Sequence, residues 1–237
     1  MNWISKKLRA GVQEIRERTG NGVTQAEDIG ALVDENLFER DILLATKKLA
    51  SSSNISERTQ AVKDLGHLSW SGGSSAAAFS GNQFVNLLSL LNNPNEPAAL
   101  KMLTVHAIGE ICCANKENQD KARMYGLVEK LTEFLSTTDS DPDFSALRRS
   151  TAACLLTLVC ENLENQKALL RTDKLQDLLT SVSMENWTAW EENEAAQLIT
   201  FLGLDQRDDA RSRWAKMKAF GGNLQRGTQR KSSVFGV

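Results

Sequence analysis

The chain has 237 residues, of which 41% are hydrophobic and 24% are charged, and its formal net charge is −2. This composition is typical of a soluble globular protein, and the 3 prolines, the single tyrosine and the rarity of alternating apolar patterns argue against a β-sheet fold. No apolar run approaches the roughly 18 residues that a membrane span needs, and no secretory leader is recognisable. The sequence therefore predicts an intracellular, cytoplasmic protein.

Charge is distributed unevenly along the chain. Residues 1–20 carry 5 basic and 2 acidic side chains. Residues 21–210 carry 16 basic and 28 acidic side chains, and residues 211–237 carry 7 basic and no acidic side chains. An acidic body thus has two basic ends, and such ends are the parts most suited to meet an acidic surface.

The first 20 residues have the pattern of a basic amphipathic helix. Such a helix could lie in a membrane interface, dock on a partner, direct import, or cap the end of a helical domain. All four interpretations remain open from the sequence. The apolar residues that share one face are Trp3, Ile4, Leu8, Val12 and Ile15.

Residues 21–40 are predicted to form a linker and a leading helix, and residues 41–205 a helical domain. The linker begins with a glycine-containing break, after which helical periodicity resumes over residues 26–49. Residues 57–70 are predicted as a long helix. The Ser-Gly-Gly-Ser run at residues 71–74 is predicted as a turn, because no strand precedes it and no Gly-Lys-Ser/Thr follows, as a phosphate-binding loop requires.

Residues 100–135 form the clearest unit of the sequence. Apolar residues cover most of the circumference of a long helix at residues 100–113, which predicts that other helices enclose it. A polar stretch then predicts a short helix, Gly126 predicts a turn, and a medium helix follows from Leu127.

This unit recurs 47 residues later and 43 residues earlier. Prolines interrupt the pattern at matching places, in residues 92–97 and 137–142. A helical period of this length predicts a stacked solenoid. At offset 47 the aligned pairs are Asn118/Asn165, Gln119/Gln166, Ile108/Leu155, Ile111/Leu158, Cys113/Cys160, Val128/Leu175 and Leu131/Leu178; at offset 43 they are Leu65/Ile108, Gly66/Gly109, Leu68/Ile111, Val85/Val128 and Leu88/Leu131.

The recurring residues resemble the armadillo repeat family. The resemblance rests on Asn118-Gln119, on Gly126-Leu127-Val128 with Leu131, and on residues 146–160, and it covers about residues 41–205. It implies an all-α fold, a right-handed α-solenoid of about three to four armadillo-like helical units. The short armadillo-like helical domain-containing proteins are similar in kind.

The end of the helical domain contains a tryptophan pair. Residues 184–204 are predicted as the last long helix, closing a fourth, shorter unit. Trp187 and Trp190 could form a binding ledge or cover the core of that unit. Residues 206–237 are predicted as a basic, disordered tail, in which Ser233 resembles a target of basophilic kinases and is a candidate phosphorylation site.

The resemblance also implies a groove. In armadillo repeats the third helix of each unit lines a concave surface, and in the nuclear-import receptors of that family a Trp and an Asn four residues apart on it hold an extended basic peptide. The equivalent pairs here are Lys63/His67, His106/Glu110 and Ala153/Thr157, none of which has that pattern. We therefore expect a groove of different chemistry, in which His106 and Glu110 form either a polar anchor or a solvated pair. The candidate partner-binding residues are Lys63, His67, His106, Glu110 and Thr157.

The sequence contains no recognisable catalytic set. It has no Cys/His or Ser/His/Asp arrangement in a known context, and the spacing of its cysteines does not suit zinc, so we expect free core thiols and no metal or cofactor.

The leading hypothesis is a non-enzymatic adaptor or scaffold that binds a protein segment in the groove. The alternative is a peripheral membrane- or cytoskeleton-associated structural protein attached through residues 1–20. Nucleic acid is not expected as a partner, because the body is acidic. The cysteines are Cys112, Cys113, Cys154 and Cys160.

Overall fold

The computed structural model describes residues 25–137 and 142–205, with side chains from residue 37 onward. The helix predicted at residues 1–20, the tail predicted at residues 206–237 and Ser233 lie outside this part of the chain. Within it, every regular element is helical. The α-helices are α1 (Gln25–Ser51), α2 (Ile55–Ser71), α3 (Gly73–Ser80), α4 (Phe84–Asn92), α5 (Ala98–Cys112), α6 (Lys116–Met124), α7 (Leu127–Leu135), α8 (Pro142–Val159), α9 (Leu163–Leu169), α10 (Leu175–Ser183) and α11 (Glu194–Phe201), and a 3-10 helix covers Gly81–Gln83.

The chain divides into two compact units, residues 1–198 and residues 199–237. Of the second unit the structure describes only residues 199–205, which include the last turn of α11. The predicted boundary after residue 40 falls inside α1, which continues without interruption to Ser51. None of the helices in the described residues is long and apolar enough to cross a membrane.

Asparagine side chains start the short helices α6 and α9 in the same way. The side-chain oxygen of Asn115 accepts a hydrogen bond from the backbone N–H of Asn118 at 3.0 Å, and Asn162 accepts one from Asn165 at 3.1 Å. This arrangement satisfies one of the backbone donors that a helix leaves open at its N-terminus. The two capping residues, Asn115 and Asn162, are themselves 47 residues apart, so the cap recurs with the repeat.

The long helices α2, α5 and α8 pack side by side, with α5 in the middle. Leu65, Ile108 and Leu155, which the two offsets align, are all fully buried, one in each of these helices. Burial of such a side chain contributes about 1.5–3 kcal/mol. The prediction that other helices enclose residues 100–113 is therefore confirmed.

The medium helices differ from the predicted alignment by one residue. Val85 is exposed and Leu88 half-buried, whereas Phe84 and Leu87 are fully buried, so an offset of 44 superposes the buried faces of α4 and α7. In α10 Leu178 is half-buried and Leu179 is fully buried, which corresponds to an offset of 48 from α7. The predicted alignment of Leu178 was wrong because one additional residue precedes α10, which begins at Leu175, 48 residues after the start of α7 at Leu127. Those of Val85 and Leu88 were wrong although α4 begins 43 residues before α7, because α4 follows directly on the 3-10 helix Gly81–Gln83 whereas a left-handed Gly126 precedes α7.

The last helix is shorter than predicted. Residues 184–193 form turns and bends, and α11 begins only at Glu194. Local polar contacts explain the break: the indole N–H of Trp187 donates to the backbone oxygen of Val182 at 2.9 Å, and the Asn193 amide donates to that of Ser183 at 2.7 Å. Asn193 then caps α11 by accepting a hydrogen bond from the N–H of Ala196.

Candidate functional site

A cavity of about 410 Å³ lies within the first unit, lined by residues of α2, α5, α8 and the segment 189–194. Its floor is made of small and apolar side chains, including Val105, Ala153 and Cys154. Because α5 and α8 are the long helices of successive copies, the cavity occupies the junction between two copies of the repeat.

His106 and Ser150 join the two long helices across this cavity. The Nε2 atom of His106 and the hydroxyl oxygen of Ser150 are 2.8 Å apart, within hydrogen-bond distance. Ser150 is buried, whereas His106 is exposed at the rim. The contact therefore fixes an imidazole ring at the entrance of the cavity.

Trp190 forms one wall and is held by a set of aromatic and cationic contacts. Its ring lies edge-to-face with Trp187, with centroids 5.4 Å apart, and with His106, with centroids 6.5 Å apart. The guanidinium carbon of Arg149 lies 5.7 Å from the centroid of the Trp190 ring. Edge-to-face and cation–π contacts at these distances are favourable.

Glu185 ties the segment that carries Trp190 to α8. Its carboxylate lies 2.5 Å from Nε of Arg148 and 3.4 Å from Nη1 of Arg149, and it also accepts a hydrogen bond from the hydroxyl of Ser145. The side chains of Glu185 and both arginines are about 15% exposed. Such partly buried, charge-assisted hydrogen bonds are stronger than ion pairs on an open surface.

Three carboxylates line the cavity, from Glu110 of α5 and from Glu191 and Glu194. The carboxylate of Glu110 rests against the bare backbone of α2, since a Cβ placed on Gly66 would lie only 2.3 Å from its Oε2 atom. Glu194 is buried at the start of α11, and Glu191 is exposed. Neither lysine nor arginine is found among the described residues that line the cavity.

None of the four cysteines forms a disulfide bond; Cys112 and Cys154 are buried in the core as predicted, whereas Cys113 and Cys160 are half-buried. Burial raises the pKa of Cys154 from its ordinary value of 9.0 to about 12, and burial together with the neighbouring Cys154 and Cys113 raises that of Cys112 well above its ordinary value. Because the thiolate is the nucleophile, both groups are unreactive near neutral pH. Within residues 25–137 and 142–205, no group of three or more His, Cys, Asp or Glu side chains is placed to hold a metal ion.

The structure brings three of the five predicted partner-binding residues together. His106, Glu110 and Thr157 line the cavity, whereas Lys63 and His67 are exposed on α2 and are not among its lining residues. The hydroxyl of Thr157 lies 3.2 Å from the backbone oxygen of Ala153, one turn earlier in α8.

Sequence reasoning missed Trp70, Ser150 and the place of Trp190 in the cavity wall. Trp70 lies four residues after Gly66, the residue of α2 that approaches Glu110, so helical spacing places both on one face. Trp190 lies in a turn, where no helical periodicity indicates the direction of a side chain.

Comparison with known proteins yields a match to a family model. The family model described as Armadillo-like helical domain-containing protein 2 matches residues 22–206, which is well over half of the chain. This finding confirms the resemblance predicted from the recurring helices. No curated protein and no solved structure matches the chain.

Proposed function

The chain belongs to the family of armadillo-like helical domain-containing protein 2, and from this premise we propose that it is a non-enzymatic adaptor or scaffold that binds a segment of a partner protein. In this proposal the helices form three to four armadillo-like units of a right-handed solenoid. The partner segment enters the cavity between α5 and α8. Helical repeats of this type use the surfaces formed by successive units for binding.

The observation that carries the proposal is the cavity at the junction of two copies. Its volume of about 410 Å³ lies in the range of roughly 300–1,000 Å³ that is typical of ligand sites. Its lining combines an apolar floor and two indoles with the polar groups of His106, Ser150 and Glu110. Aromatic anchors surrounded by a few oriented polar groups are characteristic of protein interfaces.

A non-catalytic role is supported by the chemistry of this lining. The thiol of Cys154 is held in its neutral form, which is a poor nucleophile near neutral pH. In this proposal the site holds a ligand and does not transform it.

Two substitutions of Gly109 test the proposal. A Cβ on Gly109 would meet only Cys154, at 3.9 and 4.0 Å, which is ordinary van der Waals contact. Gly109→Ala should therefore leave the cavity open, whereas Gly109→Leu should fill part of it. We expect proximity labelling in cells to recover the same neighbours for the wild type and Gly109→Ala, and to lose a specific set of neighbours for Gly109→Leu. An unchanged set with folded Gly109→Leu protein would overturn the proposal.

A second candidate function rests on the basic amphipathic pattern of residues 1–20. In that case the chain is a structural protein attached to a membrane surface or to the cytoskeleton, and the helical domain acts as a spacer. Removal of residues 1–20 would then abolish localisation, whereas Gly109→Leu would leave it unchanged. The opposite result favours the adaptor.

A further inference from the structure

We infer that the exposed side of α1 is the docking surface for residues 1–20 of the same chain, so that the two segments form an antiparallel helical hairpin at the start of the domain. We call this side of α1 the outer face, and it is defined by Leu37, Leu43 and Leu44. None of these leucines is among the residues that line the cavity between α5 and α8, so the role of the outer face does not depend on the proposed function.

Helix α1 has apolar side chains on two opposite sides. Ile42, Ala45 and Leu49 are buried on the side that packs against α2. Leu37 and Leu44 are 43% and 57% exposed, and Leu44 lies about 200° around the helix from Ile42, because each residue turns an α-helix by about 100°. A helix that is apolar on all sides is normally enclosed by other elements. The described residues leave the outer face open.

The position of α1 explains why this face is open. The long helices pack in the order α1, α2, α5, α8, so α1 stands at one end of the row. The end members of a stacked helical array have a face without a neighbouring copy, and such a face requires a cap. The segment that directly precedes α1 in the chain is the nearest one that can supply it.

The connection between the two segments suits a hairpin. Residues 21–24, Asn-Gly-Val-Thr, separate them, and antiparallel helices are commonly joined by about 2–5 residues. A helix of 20 residues is about 30 Å long, and α1 has 27 residues, so residues 1–20 can extend along most of α1. This arrangement brings Leu8 to the level of Leu37 and Trp3 within one turn of Leu44.

The apolar residues of the two segments have matching intervals. In both, they recur after three, four or seven residues, which keeps them on one side of a helix. Two such stripes can pack against each other along their whole length. The apolar residues concerned are Ile4, Leu8, Val12 and Ile15 in the first segment and Ile29, Val33, Leu37 and Leu44 in α1.

The charges of the two segments favour the same pairing. Residues 25–41 of α1 contain 6 acidic residues and 1 basic residue, whereas residues 1–20 contain 5 basic and 2 acidic residues. The remaining part of α1 carries two basic residues, Lys47 and Lys48, which lie beyond the end of a 20-residue antiparallel partner. Complementary charges along two helices set their orientation. The hairpin therefore pairs the acidic part of α1 with a basic segment.

Chemical cross-linking of the full chain can test this inference. Cys113→Ser and Cys160→Ser first remove the two half-buried thiols, since the other two cysteines are buried. Leu8→Cys and Leu37→Cys are then added, and the protein is treated with a bismaleimide whose reach matches the about 8–10 Å between packed helices. We expect a cross-link within one chain. The control combines Leu8→Cys with Leu163→Cys, at an exposed leucine of α9, and should form none.

Hydrogen exchange provides a second measurement. Leu44→Asp places a charge on the outer face and should raise the exchange rates of residues 1–20 by about ten- to a hundredfold, as expected for the loss of one buried leucine contact. Leu8→Asp should have the same effect from the other side of the contact. The matched control is Leu163→Asp, the same change at an exposed leucine of α9, which should leave these rates unchanged.

Several results would overturn the inference. A cross-link between positions 8 and 37 that joins two chains would show that a second copy occupies the outer face. Absence of any such cross-link, or an equal effect of Leu163→Asp and Leu44→Asp on exchange, would exclude the hairpin. Protection of residues 1–20 only after addition of phosphatidylserine vesicles would identify a lipid surface as their partner instead. Each of these results leaves the adaptor proposal standing, because Gly109→Leu tests a different surface.

Discussion

The side-chain amide of Asn165 donates a hydrogen bond of 3.0 Å to the backbone oxygen of Gln119, which lies 46 residues earlier in the preceding short helix. The same amide donates to the backbone oxygen of Leu158 at 2.9 Å, in the last turn of α8. Asn118 does the equivalent one copy earlier, donating to Ala77 and Ile111. We call these two arrangements amide clamps. Each one joins a short helix to the copy before it.

Asn165→Ala should lower the free energy of unfolding by about 2–4 kcal/mol. Asn165 is fully buried, and its loss would leave two backbone oxygens without this donor and remove the acceptor of Nε of Arg123. Urea denaturation measures the change. The control is Asn86→Ala. Asn86 is exposed, and among the described contacts its side chain bonds only to that of Gln83. This substitution should change the free energy of unfolding by less than about 0.5 kcal/mol. Equal effects would show that the clamp contributes little.

The same substitution should have opposite effects at two aligned glycines. A Cβ on Gly66 would lie 3.0 Å from the backbone Cα of Ala107 and 2.3 Å from Oε2 of Glu110, whereas one on Gly109 has only ordinary contacts. Gly66→Ala should therefore destabilise the protein by about 1–3 kcal/mol, because α2 and α5 must separate. Gly109→Ala should stabilise it by about 0.5–1 kcal/mol through higher helix propensity. Thermal unfolding of both variants is the measurement, and a stabilising Gly66→Ala would contradict the close approach of the helices.

Glu185→Gln should loosen the segment that carries Trp190. The substitution leaves two partly buried guanidinium groups, those of Arg148 and Arg149, without their shared counter-charge, which costs about 1–3 kcal/mol. Hydrogen exchange of residues 184–193 should increase. Glu133→Gln, at an ion pair whose glutamate is 65% exposed, should have almost no effect on either measurement. Unchanged exchange in Glu185→Gln would show that Trp190 is held by other contacts.

The stability of the fold should decrease in alkaline solution in a way that depends on Cys154. Its pKa is raised from 9.0 to about 12, so the folded state retains the thiol proton after the unfolded chain has lost it. The contribution is complete below about pH 9 and is lost as the pH rises towards 12. Between about pH 8 and pH 10 the loss from this thiol is about 1.4 kcal/mol.

Urea denaturation at the two pH values measures this loss, and Cys154→Ala is the comparison. The decrease should be smaller in the variant by about the same 1.4 kcal/mol. A decrease of equal size in both proteins would mean that Cys154 ionises as readily in the folded state as in the unfolded chain.

Helical periodicity was sufficient to predict the long helices and the burial of Leu65, Ile108 and Leu155, because a face that repeats every 3.6 residues is encoded locally. The resemblance to armadillo repeats, and not periodicity, put His106 and Glu110 forward as groove residues, and both line the cavity. Periodicity failed where the geometry depends on turns. One additional residue before α10 and a different connection into α4 shifted the buried faces of the medium helices by one residue.

The wall formed by Trp190 depends on contacts made by Trp187, Glu185 and Asn193, which no local pattern indicates.

One kind of long-range contact, the arginine–glutamate pair, could have been predicted from the alignment of the copies. Arg58 binds Glu96 through two hydrogen bonds of 2.9 and 2.7 Å, and Arg148, which the two offsets place over Arg58, binds Glu185. The recurrence of an arginine in one helix and a glutamate 37 or 38 residues later would have identified both pairs.

The amide clamps have a consequence for how such a chain can evolve. Their acceptors are main-chain oxygens, which every amino acid possesses, so the identity of the residue at the receiving position is of little importance. A copy can exchange most of its side chains, and can gain or lose residues in its connections, while its neighbour still attaches to it. The two clamps span 41 and 46 residues, which illustrates this tolerance of length. Duplicated helical units held in this way are free to diverge in sequence and to acquire separate surfaces without losing their attachment to one another.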